Sequence, residues 1–173
     1  MVRTAFPDGI DAAAMQSRGS SRVILWRFII FAVILSLAMV GLLGGGGVRW
    51  RSVETPAAWL SLEAAECIRN GNYFEARISV EPRRPIAEPV IAVPAAMWQD
   101  STINSLIPEP QDETFRDGEY RFRFAPLAAG QRLEFKIDGQ INPALYGRLA
   151  GNYRLLDGDR ELARLESKLI VIP

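Results

Sequence analysis

The sequence predicts one N-terminal transmembrane α-helix followed by an all-β domain. The expected fold of that domain is an immunoglobulin-like antiparallel β-sandwich of about seven strands, with a small β-barrel as the alternative. Three observations carry this. The run from Val23 to Leu43 is apolar except for Arg27 and Ser36, and about 20 such residues cross a bilayer core as a helix. From Ala58 onward the hydrophobic period shortens to two, the signature of half-buried strands. The dipeptides Asn70-Gly71, Asp117-Gly118, Asp138-Gly139 and Asp157-Gly158 supply turn chemistry between the alternating runs.

Residues 1–22 show no sustained period and read as a disordered cytoplasmic tail, without the glycine after Met1 that myristoylation needs. Residues 23–43 form the anchor, with Trp26 and Trp50 placed for the two interfaces. Arg3, Arg18 and Arg22 put the basic excess on the N-terminal side, which orients that end inward and the C-terminal domain outward. A cleaved secretory signal is the competitor, but no Ala-x-Ala follows the run, which is longer than such a signal needs. A lipoprotein signal is excluded, because the single cysteine is Cys67. Gly41 and Gly45 form a G-x-x-x-G pair, a seam for weak helix dimerisation or simply glycine in a membrane helix. Residues 44–57 read as a Gly-rich tether, spanning at most about 35 Å beyond its glycines.

Residues 58–173 are the sandwich domain. Trp59 to Leu62 opens it, and in Tyr73–Glu81 the residues Phe74, Ala76, Ile78 and Val80 share one face. Val90 to Val93 is a short buried strand stopped by Pro94. Residues 95–107 break the alternation, and Asp100 or Ser101 is placed to cap a short helix bearing Ile103, Leu106 and Ile107. Tyr120, Phe122 and Phe124 face inward against Glu119, Arg121 and Arg123, and Leu133, Phe135 and Ile137 repeat the device. The best hairpin sets Leu149, Gly151, Tyr153 and Leu155 against Ala163, Leu165, Leu169 and Val171 across Asp157-Gly158.

Val90-Ile91-Ala92-Val93-Pro94, Ala96-Met97-Trp98, Pro108-Glu109-Pro110, Tyr120-Arg121-Phe122-Arg123-Phe124 and the aliphatic C-terminal strand stand in a particular order. That order resembles a group of uncharacterised bacterial single-pass membrane proteins with a small extracytoplasmic β-sandwich. The resemblance implies the architecture and carries no functional residue across.

Charge is divided along the chain. Residues 1–51 hold a net +4 and residues 52–173 a net −4, within a balance of 20 basic and 20 acidic side chains. An acidic domain lacks the footprint that nucleic acid requires, while the basic end suits anionic inner-leaflet lipid. There is no histidine, which removes the commonest general base, the commonest zinc ligand and the usual partner of a nucleophilic Ser or Cys. Cys67 has no intrachain disulfide partner and is expected to be buried.

The remaining constellations are weak. Asp157, Asp159 and Glu161 place carboxylates close together but lack calcium-loop spacing, so a solvated turn is expected. Asp112, Glu113, Asp117 and Glu119 read as an exposed loop. Lys136 and Lys168 fall on the polar side of strands, away from a Ser-Lys role. Arg121, Arg123 and Arg132 form a stripe for a carboxylate or phosphate, or else a solvated face partnered by Glu119 and Glu134. No catalytic, cofactor-binding or metal-binding residue is therefore assigned, and no cofactor is expected. The reading is a membrane-anchored binding or accessory module of the cell envelope that meets the lipid bilayer and a membrane-proximal protein, not an enzyme. The alternatives are a carboxylate-dependent enzyme or metal-binding domain, and a secreted sandwich after signal cleavage.

Overall fold

The computed structural model describes residues 21–39 and 47–173. Of the tail expected over 1–22, residues 1–20 lie outside the described residues, as do the pair Gly41 and Gly45 and the glycines 44–46, while Ser21 and Arg22 belong to the helix that follows. The helix α1 (Ser21–Met39) holds the described part of the apolar run, and Arg22–Met39 reaches a mean hydropathy of 2.1 with none of it buried. It is long and apolar enough to cross a membrane, a test that an N-terminal signal sequence also passes. Within it the Ser36 hydroxyl donates to the Ala32 carbonyl at 2.7 Å, so this polar group is satisfied inside the helix.

The second unit has its own core and, among the described residues, eleven strands. They are β1 (Val48–Glu54), β2 (Ala58–Ala65), β3 (Cys67–Arg69), β4 (Tyr73–Pro82), β5 (Pro89–Pro94), β6 (Ser101–Ile107), β7 (Asp112–Arg116), β8 (Glu119–Arg123), β9 (Leu133–Ile141), β10 (Gly147–Asp157) and β11 (Arg160–Ile172). One sheet has the order β1-β2-β4-β9-β6 and the other β3-β11-β10-β5-β8-β7. Every pairing is antiparallel except β3 against β11.

Alternation builds the core. Leu60, Leu62, Ile78, Val80, Phe135 and Ile137 from the first sheet meet Ile91, Val93, Phe122, Tyr153, Leu155 and Leu165 from the second. Each large aliphatic side chain moved from water to such a site contributes about 1.5–3 kcal/mol before chain entropy is charged against it. The β10–β11 hairpin pairs as its pattern demands, Leu149 with Leu169, Tyr153 with Leu165 and Leu155 with Ala163. Its turn centres on Gly158 and Asp159, with Gly158 at φ +60 in the first central position. Asp117 and Gly118 both take positive φ between β7 and β8, the conformation that gives this dipeptide its place in hairpins.

Four expectations are corrected. The strand count exceeds seven because β1, β3, β6 and β7 lie at sheet edges, where short, exposed or bulged strands alternate weakly. Val48–Glu54 is β1, paired along its whole length with β2, so the sandwich begins inside the segment expected to be tether. In β1, Trp50 packs on Trp59 of β2 at 5.9 Å between ring centroids. Asp138-Gly139 is not a turn but lies inside β9, where a Cβ on Gly139 would stand 2.6 Å from the Phe74 ring and 2.8 Å from the Thr102 carbonyl oxygen.

The fourth correction concerns residues 95–107. Only Ala95–Met97 forms a helical turn, of the 3₁₀ kind, and Ser101–Ile107 is strand β6. A bulge at Asn104 shifts the register between Ile103 and Ser105. It turns the strand spacing of the inward residues into Ile103 and Leu106, three apart, which is also helical spacing.

Candidate functional site

All but Glu113 of the acidic groups singled out in the sequence are tied up in ion pairs, most of them on the outer face of the second sheet. Arg121 on β8 and Arg154 on β10 flank Ala92 of β5 in register, and that small side chain leaves room above the sheet for both. Arg121 reaches Asp159 at 3.0 Å and Asp117 at 3.3 Å, while Arg116 also reaches Asp159 at 3.3 Å. Arg154 pairs with Glu119 and lies 3.1 Å from Glu161. Arg164 closes the network at 2.8 Å from Glu161. The hydrogen bonds from Arg164 and then Arg154 hold the Glu161 carboxyl down at about 2, against the opposing pull of desolvation. Glu119 hydrogen-bonds the Arg154 guanidinium and raises its pKa further.

Asp157 accepts from the Glu88 backbone N–H at 2.9 Å and meets Arg160 at 3.4 Å. Asp112 lies 3.7 Å from Arg123. Among the described residues no three His, Cys, Asp or Glu side chains are grouped to hold a metal ion.

The arginine stripe is divided by the fold. Arg121 and Arg123 lie on β8, but Arg132 precedes β9 in the other sheet, where it donates to the Ser79 hydroxyl at 3.3 Å and meets Glu134 at 3.6 Å. Lys136 sits 2.9 Å from Glu75 and 3.5 Å from Asp138, an arrangement that raises its pKa. Lys168 is exposed on β11, and Cys67 is half-buried in β3.

A groove that sequence reasoning missed has ligand-sized volume. The first sheet has five strands and the second six, so β6 ends one sheet while β7 extends the other beyond it. On β7, Glu113 and Phe115 pair with Phe122 and Tyr120 and therefore face the sandwich interior. All of β7 is nevertheless exposed, Phe115 by 62%. Among the described residues no strand lies over it.

Between the two edges runs a groove of about 610 Å³, within the range of small-molecule pockets. Its apolar lining is Trp98, Ile103, Leu106, Tyr120 and Phe122. An aromatic ladder runs from the core through this lining and on to Phe115 of β7 beyond it. Phe135 in the core touches Phe122 at 5.3 Å, Phe122 meets Trp98 at 5.5 Å, Trp98 stacks on Tyr120 at 5.2 Å, and Tyr120 meets Phe115 at 5.1 Å.

Glu109 and Glu113 line the rim, and among the described residues neither has a cation within 4 Å. The signal available in the sequence was the uncharged stretch from Ser101 to Pro108, a few residues after Trp98. It was hidden because the bulge made that stretch look helical.

No known protein family matches the chain, and no curated protein matches it in sequence. Among solved structures it is similar to the CARDB domain of the PF1109 protein from Pyrococcus furiosus, solved in complex with di-metal ions. The identity is 10% and the TM-score 0.41, over 70% of this chain and 95% of that one. It is also similar to a non-cellulosomal cohesin from Archaeoglobus fulgidus, at 8% identity and TM-score 0.37, over 64% of this chain and 88% of that one. Likenesses this distant carry no functional argument.

Proposed function

We propose that the chain is a membrane-anchored binding module of the cell envelope, with its N-terminus inside and its sandwich outside, which holds a neighbouring membrane protein in the groove between β6 and β7. The observation that carries this reading is the uncovered interior face at Phe115 and Tyr120. Apolar interior positions left open at a sheet edge are costly unless a partner covers them. An aromatic floor with a polar rim is also the composition of interface centres. A non-catalytic role is supported by the lack of histidine and by the arginines that engage most of the carboxylates reviewed above.

The test is site-specific crosslinking in intact membranes. A photoreactive residue in place of Phe115 is expected to capture one discrete partner, and Tyr120→Ala is expected to abolish that capture in a folded protein. The same photoreactive residue in place of Arg164, on the opposite face of its sheet, is expected to capture nothing discrete. Equal capture from both positions, or capture indifferent to Tyr120→Ala, would remove the groove from the proposal.

A further inference from the structure

The geometry points to the occupant of this groove: an extended segment of the partner carrying a Lys or Arg side chain, added to β6 as the missing sixth strand of the first sheet. This rests on the groove reading above and names its ligand.

Two independent features lead there. The first is the edge itself. Of the four edge strands, β1 carries Arg49, Arg51 and Glu54, β3 is three residues long and carries Arg69, and β7 carries Asp112, Glu113 and Arg116. Charge and brevity are the usual protections against unwanted pairing. Strand β6, Ser101–Ile107, has no charged residue and no proline. Its backbone is paired with β9 on one side only. In an antiparallel pair alternate N–H and C=O groups point away from the partner, so β6 presents a row of them along the groove. The bulge at Asn104 interrupts that row and limits the added strand to a short segment.

The second feature is the surface such a strand would cover. Its inward side chains would fall on Phe115 and Tyr120 and beside Glu113, which faces the interior without a cation within 4 Å. Glu109 adds a second carboxylate at the rim. A basic side chain there gains a carboxylate partner and an aromatic face together. Main-chain pairing with β6 supplies the affinity, and the alternate pockets supply the sequence preference.

The experiment uses the full chain in nanodiscs and a blocked six-residue peptide of alternating Val and Lys as probe. A Val/Glu peptide and the Val/Lys peptide methylated on its backbone nitrogens serve as comparisons. The Val/Lys peptide is expected to bind at least about tenfold tighter than the Val/Glu peptide. Glu113→Gln should narrow that preference, Glu113→Lys should reverse it, and backbone methylation should abolish binding. Circular dichroism identical to the parent shows that each variant is folded. Equal affinity for the two peptides, undiminished binding of the methylated one, or no binding of any would overturn the strand inference. In each of those cases, loss of the Phe115 crosslink on Tyr120→Ala would leave the groove reading standing, and its persistence would remove both.

Discussion

Trp98 and Tyr120 stack with their ring centroids 5.2 Å apart and their planes at 28°, joining the turn before β6 to the inner face of β8. Two residues along β8, Phe122 is 2% exposed, whereas Tyr120 is 38% exposed. The neighbours thus divide between stability and contact. Phe122→Ala should cost about 3–5 kcal/mol in urea unfolding, the range for emptying a buried aromatic site. Tyr120→Ala should cost about 1–3 kcal/mol, the scale of two lost aromatic pairs, with Trp98 and with Phe115, while removing the contact surface of the groove. Equal costs at the two positions would show that Tyr120 is a core residue.

Strand β1 sets the true start of the sandwich. A chain beginning at Gly47 keeps every partner of β2, whereas one beginning at Ala58 turns β2 into the sheet edge. It also strips Trp59 of Trp50 and leaves Glu66 without Arg49 and Arg51. The shorter chain should unfold at a lower urea concentration with a smaller slope, because less surface is buried on folding. Identical midpoints would mean that β1 adds nothing to the fold.

The pH dependence follows from Glu161. Its folded pKa is lowered to about 2 from an ordinary 4.5. A depressed carboxyl adds stability that is present above the unfolded value and lost as pH falls toward the folded one. The difference in melting temperature between the parent chain and Glu161→Gln should therefore be constant above pH 5. It should shrink steadily between 4.5 and about 2. Glu161 is partly exposed, so salt should weaken the same difference. A difference that is flat across this pH window would mean that Arg154 and Arg164 do not hold the carboxylate in solution.

Anchoring is tested separately. Tyr146 is 75% exposed, so Tyr146→Cys in a Cys67→Ser background should be labelled by an impermeant maleimide from outside intact cells. The protein should stay with the membrane through an alkaline wash. Inserting about twenty flexible residues after Gly47 should reduce partner capture by lowering the effective concentration at the groove. A soluble mature form beginning near Val48 would show instead that α1 is a cleaved signal.

The sequence by itself determined what is written in local periodicity. Val23 to Leu43 reads as a bilayer-length helix, and α1 spans the described part of that run. Phe135, Ile137, Leu155 and Ala163 read as inward residues and all are buried, because period two commits every second side chain to one face. The absence of histidine constrained the chemistry before any coordinates.

Tertiary structure decided the rest. Whether Asp138-Gly139 turned the chain or ran straight depended on Phe74 approaching from a neighbouring strand. Arg132 parted from Arg121 because sheet membership is a long-range choice that alternation does not encode. The groove was invisible for the same reason. It arises from one sheet being a strand wider than the other, and from a bulge that disguised β6 as helix. Local pattern says which face a side chain takes, and only the assembled sheets say whether anything lies across from it.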